Sequence, residues 1–281
     1  MRETAALDPL ALHAANVARL GEGAVVVAGY PGSGAALVGN ILLEAGFDYL
    51  DPYTEVVHED GRVTPAEQRV AYRSRLAASD LRDRAGRGEG RDAAQPDGVP
   101  GPVFVKTHRH PEEFGGVPLR AAVLLVRDPR DAVHSYFRWR QGFSESGEHG
   151  SFAEFLRRPA ADGLVPALNW AEFNRRWADL PGGPVPTLRF EDVKRDPVRA
   201  VHTVLSDLGV ASDPARLADA ARRSSFQAMR AHENIRAHGS AARIMRRGKV
   251  GEWREWYTAS LAVSFEPRQV RETAARFGYE I

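Results

Sequence analysis

The sequence predicts an α/β fold in which a mostly parallel central sheet lies between two layers of helices. Apolar, strand-like runs alternate with segments of helical periodicity, and this alternation is typical of parallel sheets. The 281 residues fit a single domain, residues 1–281. A turn rich in Gly and Pro follows the first run, as in P-loop folds. The strand-like runs are Ala24–Gly29, Val103–Thr107, Ala121–Val126 and Val185–Phe190.

Composition narrows the range of functions. The chain has 38 Lys and Arg against 37 Asp and Glu, and its formal net charge of +1 gives no overall attraction to nucleic acid. It has no cysteine, which excludes disulfides, thiolate catalysis and Cys-based zinc sites. Residues 1–23 have the pattern of an amphipathic helix, and no apolar run reaches membrane length. We therefore expect a cytoplasmic protein without nucleic-acid or membrane partners.

The first candidate site is the turn after the first strand. Residues 30–34 (YPGSG) lead into a helix-like segment that ends at Gly46. Such a turn directs several backbone N–H groups and the positive end of a helix dipole at one point, which favours an anion. The P-loop pattern requires Lys and then Ser or Thr, but Ala35 and Ala36 occupy these positions. The turn alone therefore predicts either an anion site without a metal or a simple βα connection.

An insertion, residues 54–102, separates the first two strand-like runs. It is long enough to form a cap on the substrate side of the sheet. Residues 85–101 within it are rich in Gly, Pro and charge, a composition that predicts a mobile loop.

The second run ends in Lys106-Thr107-His108. Because the carboxyl ends of parallel strands form the ligand edge of a sheet, this run brings a cation and an imidazole to that edge. His108 is suited to accept a proton from an acceptor hydroxyl, and Lys106 to neutralise charge on a transferred group. The alternative is an ordinary solvated strand end. His110 forms a His-x-His pair with His108, but without further ligands at metal-binding spacing a metal is not predicted.

The third run continues into Arg127, Asp128 and Pro129. Asp128 as N-cap and Pro129 as the first helical residue predict a helix start. The guanidinium of Arg127 and the hydroxyl of Ser135 suit a phosphate. The alternative is a structural pair between Arg127 and Asp131.

A late segment concentrates cations beside a glycine, in residues 246–249 (RRGK). This composition suits an anionic ligand, and the alternative is a solvated basic turn. Nearby, Ser224 or Ser225 can cap a helix, and Phe226 and Met245 can belong to the core.

In their order along the chain, these motifs resemble the cytosolic type of nucleotide-dependent sulfotransferase, which uses 3′-phosphoadenosine 5′-phosphosulfate (PAPS); a bacterial small-molecule enzyme is expected. The family's Tyr-Pro-Lys-Ser-Gly-Thr-Thr-Trp loop is similar to residues 30–37, its Lys-Thr-His to 106–108, and its Arg-(Asn/Asp)-Pro-(Lys/Arg)-Asp to 127–131. Its Tyr-Glu-Asp-x-Lys-x-x-Pro is similar to 190–197, its Ser-Phe-x-x-Met to 225–229, and its Arg-Lys-Gly-x-x-Gly-Asp-Trp to 246–253.

The resemblance implies transfer of a sulfuryl group from PAPS to a hydroxyl or amine of a small-molecule acceptor. His108 would act as general base in an in-line attack, and no metal is implied. The residues implied to bind PAPS or its product PAP are Pro31, Gly32, Ser33, Gly34, Ala35, Ala36, Leu37, Arg127, Ser135, Phe190, Ser224, Phe226, Met245, Arg246, Arg247 and Gly248.

The chain departs from the family pattern at several of these positions. Gly32 replaces a lysine that assists the leaving phosphate, and residues 35–37 replace Thr-Thr-Trp. Phe190 stands where the family has Tyr. We expect Lys106 to supply the missing cation. The alternatives are a catalytically weak PAP-binding partner subunit and a P-loop phosphotransferase.

Neither the acceptor nor the oligomeric state is determined by the sequence. Four aromatic residues after the third run are candidates either for the acceptor pocket or for the core. The family's dimerisation pattern is eroded, so both a homo-oligomer and a hetero-oligomer stay open. The four aromatic residues are Tyr136, Phe137, Trp139 and Phe143.

Overall fold

The computed structural model describes residues 8–20, 22–59, 63–65, 101–143, 150–236 and 247–281. Its strands are β1 Ala24–Gly29, β2 Tyr49–Leu50, β3 Glu55–Val57, β4 Val63–Pro65, β5 Val103–Thr107, β6 Ala121–Val126 and β7 Thr187–Arg189. Five of them form the central sheet in the order β2-β5-β1-β6-β7, and every neighbouring pair in it is parallel. Strands β3 and β4 form a separate antiparallel pair.

The helices of the described residues precede, separate and follow these strands. They are α1 Pro9–Val17, α2 Ala35–Glu44, α3 Pro129–Phe143, α4 Phe152–Arg157, α5 Pro166–Ala178, α6 Phe190–Arg195, α7 Pro197–Asp207, α8 Pro214–Arg223, α9 Phe226–Arg236, α10 Ala259–Ala262 and α11 Arg268–Arg276. Short 3₁₀ helices span Pro111–Phe114, Glu252–Glu255 and Val263–Phe265. Within these described segments, no helix combines the length and the apolar character needed to span a bilayer.

Several helix starts are determined locally by an Asp followed by a Pro. The carboxylates of Asp8, Asp196 and Asp213 each accept a hydrogen bond from a backbone N–H in the first turn of α1, α7 and α8. These bonds satisfy N–H groups that have no partner within the helix, and the proline at the first helical position has no N–H to satisfy.

Both faces of the sheet are buried, which confirms the predicted three-layer arrangement. Along β1, Val25 and Val27 point into a core shared with α2, α7 and α8. Val26 and Ala28 point into a second core shared with α3, α5 and α11. Each of the four is at most 1% exposed. Because successive side chains of a strand face opposite sides, a continuous apolar run needs helices on both faces.

The sequence prediction was wrong at two points of the sheet. The run Val185–Phe190 forms a strand only at Thr187–Arg189, and Phe190 already begins α6. Acidic residues in the first turn of α6 and basic residues in its last turn favour that helix through its dipole. Strand β2 was not predicted, because two residues are too few to show a pattern. It pairs with β5 and lies at the edge of the sheet.

The predicted insertion, residues 54–102, is described only in part. It contains the β3–β4 pair. Residues 60–62 and 66–100 lie outside the described residues, and they include most of the Gly- and Pro-rich stretch 85–101. The cap on the substrate side therefore stays a prediction.

The three central strands bring the predicted motifs to one edge of the sheet. In β1, Ala28 lies beside Thr107 of β5, and Gly29 lies beside Leu125 of β6. Because these strands are parallel, the segments that follow them emerge side by side: the 30–34 turn, the 106–110 segment and the start of α3.

Candidate functional site

The turn between β1 and α2 leaves a set of backbone donors unused. Gly34 is the N-cap of α2 in a left-handed conformation (φ +97°) and makes no side-chain capping bond. Ser33 N–H donates to the carbonyl of Tyr30 (3.0 Å). In the described part of the chain, the N–H groups of Gly34, Ala35 and Ala36 have no hydrogen-bond partner. The first turn of α2 therefore offers the N–H groups and dipole that bind anions.

Gly32 brings this turn into direct contact with α3. Its φ is +89°, and a Cβ added to it would lie 2.4 Å from the carbonyl oxygen of Ala132 and 3.1 Å from Cβ of Ser135. The main chain of the turn thus packs on the main chain of the helix. A side chain at position 32 has no room in this arrangement, so the family's lysine does not fit here.

Phe190 contacts both the turn and Arg127. A Cβ added to Gly34 would lie 2.4 Å from the Phe190 ring. The guanidinium carbon of Arg127 lies 4.4 Å from the centroid of the same ring, a cation–π distance. Phe190, which the resemblance implied to be a nucleotide-site residue, therefore lies against the anion-binding turn.

Arg127 joins two loops of the site. Its Nη1 donates to the carbonyl of Gly32 (3.0 Å) and its Nη2 to the carbonyl of Lys249 (3.1 Å). It is 6% exposed, and its guanidinium lies 3.6 Å from the carboxylate of Asp131. The predicted alternative, a structural pair with Asp131, is therefore present together with contacts to both loops.

Asp131 anchors the C-terminal motif to the start of α3. Its carboxylate accepts hydrogen bonds from the N–H groups of Gly251 and Trp253, both at 2.8 Å. Burial raises the pKa of Asp131, while Arg127 and the two N–H donors act in the opposite direction. Arg130 adds a second link, since it is paired with Asp128 and lies 3.6 Å from the centroid of Trp253.

The predicted cationic cluster is paired with carboxylates where it is described. Arg247 forms ion pairs with Glu252 and Glu255, and Lys249 Nζ lies 3.0 Å from Glu255. Met245 and Arg246 lie outside the described residues.

Gly248 packs against the residue that begins α9. A Cβ added to Gly248 (φ +62°) would lie 2.6 Å from the ring of Phe226. Ser225 caps α9 through its hydroxyl, which accepts from Ala228 N–H at 3.3 Å. The glycine of the cationic segment and the aromatic residue of the Ser-Phe motif are thus in direct contact.

Three predicted site residues carry buried polar atoms without a partner among the described residues. These atoms are Ser33 Oγ, Ser224 Oγ and Arg127 Nε. Each of these donors suits a polar ligand, which would satisfy it. Lys194 belongs to the 190–197 motif but was not among the predicted site residues; burial and the charge of Arg127 both lower its pKa. The donor set fits an anion.

Lys106 and His108 lie at the end of β5. Lys106 Nζ forms an ion pair with Asp51 at 2.8 Å, and its side chain is 16% exposed. His108 Nδ1 lies 2.6 Å from the carbonyl oxygen of Gly29. A carbonyl only accepts, so Nδ1 carries the proton and donates, and Nε2 holds the lone pair. His108 thus has the tautomer of a base and is bonded to the residue that ends β1.

Asp51 and Tyr53 contact Lys106 and His108, respectively, but were not predicted as site residues. Tyr53 Oη accepts the backbone N–H of His108 at 2.9 Å, and its ring stacks on the imidazole. Both residues lie just before the insertion and belong to no sequence motif. Their role was visible only from the contacts.

His110 and the aromatic candidates have separate surroundings. The His110 ring packs near Phe173 (5.8 Å between centroids), and burial lowers its pKa. Across the described ranges, no three His, Cys, Asp or Glu side chains are grouped to hold a metal ion. Phe137 belongs to the core, and Trp139 is 43% exposed. Tyr136 contacts Tyr30 of the turn (5.9 Å). The side chain of Phe143 is not among those described.

The packing of Gly32 on α3 predicts an unusually large effect of Gly32→Ala. Both this change and Gly116→Ala place a side chain at positive φ, which costs about 1–2 kcal/mol. A Cβ at Gly116 has nothing within 4 Å, whereas a Cβ at Gly32 meets the carbonyl of Ala132. We expect Gly32→Ala to lower the free energy of unfolding by about 1–3 kcal/mol more than the control. Urea denaturation measures both, and equal losses would show that the turn moves away from α3 without cost.

Comparison with known proteins places this site in a family. The family profile described as "Sulfotransferase domain" matches residues 22–272. Over 165 residues the chain is 27% identical to sulfotransferase 6B1 of Pan troglodytes. This match covers 57% of this chain and 54% of that protein. The chain thus spans about half the length of the curated relatives that it matches first.

Solved structures show the same fold. Mouse sulfotransferase SULT7A1 complexed with PAP superposes with a TM-score of 0.60 at 17% identity, covering 91% of this chain and 86% of that one. Retinol dehydratase in complex with androsterone and inactive cofactor PAP superposes with a TM-score of 0.59 at 18% identity. The match covers 98% of this chain and 87% of that one. The family profile matches well over half of the chain, and the described motifs lie within it. The chain belongs to the sulfotransferase domain family.

Proposed function

We propose that this protein transfers a sulfuryl group from PAPS to a hydroxyl or amine of a small-molecule acceptor. One observation carries the proposal: the imidazole of His108 is hydrogen-bonded to Gly29, and the anion-binding turn begins at the next residue. A base in the correct tautomer and a set of unused anion donors therefore adjoin each other. The two similar structures are complexes with PAP, which supports this choice of nucleotide.

The donor's phosphosulfate would occupy the turn. The N–H groups of Gly34, Ala35 and Ala36 and the orphaned hydroxyl of Ser33 are the donors assigned to it. Because N–H groups and a hydroxyl supply these contacts, the proposal needs no divalent cation.

The rest of the nucleotide would lie across the neighbouring loops. The 3′-phosphate is assigned to Arg127, whose Nε has no partner in the described chain, together with Ser135 and the 246–248 segment. The adenine side is assigned to Pro31, Leu37, Phe190, Ser224, Phe226 and Met245.

The proposed chemistry is a single displacement at sulfur. As the acceptor oxygen forms its bond to sulfur, its proton moves to Nε2 of His108. The bond between sulfur and the bridging oxygen of the 5′-phosphate breaks, and PAP departs with the electron pair. Nδ1 stays bonded to the Gly29 carbonyl, which holds the imidazole and stabilises the imidazolium that forms.

Stabilisation of the leaving phosphate is assigned to Lys106. The chain contains only three lysines, Lys106, Lys194 and Lys249, so few ammonium groups are available to replace the one absent at Gly32. The ammonium of Lys106 is at the end of β5, one strand away from the turn. Its ion pair with Asp51 and the tight packing of Gly32 favour a second candidate function, a PAP-binding subunit with weak catalysis.

Ser33→Ala separates ligand binding from stability. The Ser33 hydroxyl has no partner in the described chain, so its removal costs no stability, but it deletes a hydrogen bond to a charged ligand worth roughly 1.5–3 kcal/mol. We expect calorimetry with PAP in EDTA to give one-to-one binding by the wild type and about tenfold or greater weakening by Ser33→Ala. Ser151→Ala removes the cap of α4 and should lower stability by about 1 kcal/mol without affecting PAP. A wild type that binds PAP neither with EDTA nor with Mg²⁺ would contradict the proposed donor.

His108→Ala tests the base. With PAPS as donor and p-nitrophenol as probe acceptor, we expect turnover to fall by roughly 10²–10⁴, because general-base catalysis contributes that much. Affinity for PAP should stay within twofold, since the imidazole contacts the acceptor. His202→Ala is the control, since the His202 ring is hydrogen-bonded to Ser212 in the loop between α7 and α8. Full turnover by His108→Ala would show that another group takes the proton of the acceptor.

Lys106→Ala tests the role assigned to this lysine, and wild-type turnover separates the two candidate functions. Loss of a cation at the leaving group should lower turnover by about 10²–10³, with acceptor KM little changed. The matched control is Arg195→Ala, which removes an exposed cation paired with Asp192. Near-normal turnover by Lys106→Ala would sink the role assigned to this lysine. A wild type that binds PAP but turns over no probe would favour the weakly catalytic subunit.

A further inference from the structure

Hydrogen bonds connect His108 to a second histidine, His13 of helix α1. The backbone N–H of His108 donates to Tyr53 Oη at 2.9 Å. The Tyr53 hydroxyl is in turn hydrogen-bonded to the side chain of Thr107. Thr107 Oγ1 lies 3.1 Å from Nε2 of His13. Both ends of the Thr107–His13 contact are buried, since Thr107 is 0% and His13 2% exposed.

The Thr107 hydroxyl is the centre of this connection. One of its lone pairs accepts the N–H of Arg109 at 3.0 Å. Its single proton and its second lone pair serve the bonds to Tyr53 and to Nε2 of His13. His13 and Tyr53 thus share one fully bonded hydroxyl.

The surroundings of His13 keep it in that state. Burial lowers its pKa to about 4; Arg109 and Lys106 act in the same direction, and Glu113 and Asp51 oppose them. Its ring packs 4.7 Å from Tyr53 and 5.8 Å from Phe114. His13 is therefore neutral at physiological pH, and its ring is held against Thr107 and Tyr53.

Helix α1 also holds the segment that carries Tyr53. Asn16, 0% exposed, donates to the carbonyls of Pro52 (2.9 Å) and Glu55 (2.6 Å). Its Oδ1 accepts the N–H of Val57 at 2.9 Å. Three bonds from one side chain thus fix the main chain around Tyr53.

We propose that His13 is a positioning residue for His108 and acts through Thr107 and Tyr53. It takes no proton from the acceptor. It orients the Thr107 hydroxyl, which fixes Tyr53, and Tyr53 holds the main chain and the ring face of His108. The proposal rests on the proposed function, because His108 is the base of that reaction. It extends the catalytic support to the N-terminal helix.

Amide hydrogen exchange tests the connection without any ligand. In the free protein, we expect the His108 N–H to exchange at least about tenfold faster in Tyr53→Phe and His13→Leu than in the wild type. His13→Gln places an amide group, which can donate or accept, near the position of Nε2 and should keep wild-type exchange. Leu10→Ala, an exposed change on the same helix, is the control. Unchanged exchange at His108 in His13→Leu would overturn the proposal.

Turnover then tests the consequence. With PAPS and p-nitrophenol, His13→Leu should lower kcat about tenfold at unchanged PAP affinity, and His13→Gln should restore it. Equal losses in both variants, or a parallel loss of PAP affinity, would indicate a merely structural role and contradict the proposal. If the wild type binds no PAP and turns over no probe, the proposed function fails, and the exchange data still decide whether His13 positions His108.

Discussion

The buried pair of Arg127 and Asp131 holds two loops of the candidate site together. Arg127 reaches the carbonyls of Gly32 and Lys249, and Asp131 accepts the N–H groups of Gly251 and Trp253. One pair at the start of α3 thus fixes the loop after β1 and the loop before the C-terminal helices. Removing one partner of a buried pair leaves an uncompensated charge, which typically costs about 3–5 kcal/mol. The geometry of the anion site therefore depends on this contact.

Close packing against three glycines is the second constraint. Gly32, Gly34 and Gly248 each adopt positive φ, and they lie against the main chain of Ala132 and the rings of Phe190 and Phe226, respectively. In the family pattern a lysine occupies the position of Gly32, and here the turn gains contact with α3 in its place. Under the proposed function, the cation at the leaving phosphate would come from another element. This constraint connects the packing of one glycine to the role proposed for Lys106.

The N-terminal part of the chain supports the end of β5, where the proposed base lies. Asp51 pairs with Lys106, Tyr53 bonds and stacks on His108, and α1 holds their segment through His13 and Asn16. The two halves of the proposed site thus have separate supports: the Arg127–Asp131 pair for the nucleotide, and α1 for the base. Changes in α1 are expected to affect the rate of the reaction more than the affinity for PAP.

The sequence by itself determined the three central strands of the sheet, the loop and the family. Apolar runs at Ala24–Gly29 and Ala121–Val126, Asp128-Pro129 at the start of α3, and the glycine spacing before α2 are local signals, since each depends on neighbours along the chain. Tertiary structure alone decided the packing of Gly32 on α3, the pairing of Lys106 with Asp51 and the contacts that connect His13 to His108. Those contacts join residues far apart in sequence, as His13 and Thr107 are, 94 positions apart. They leave no periodicity or spacing in the chain, so only the fold reveals them.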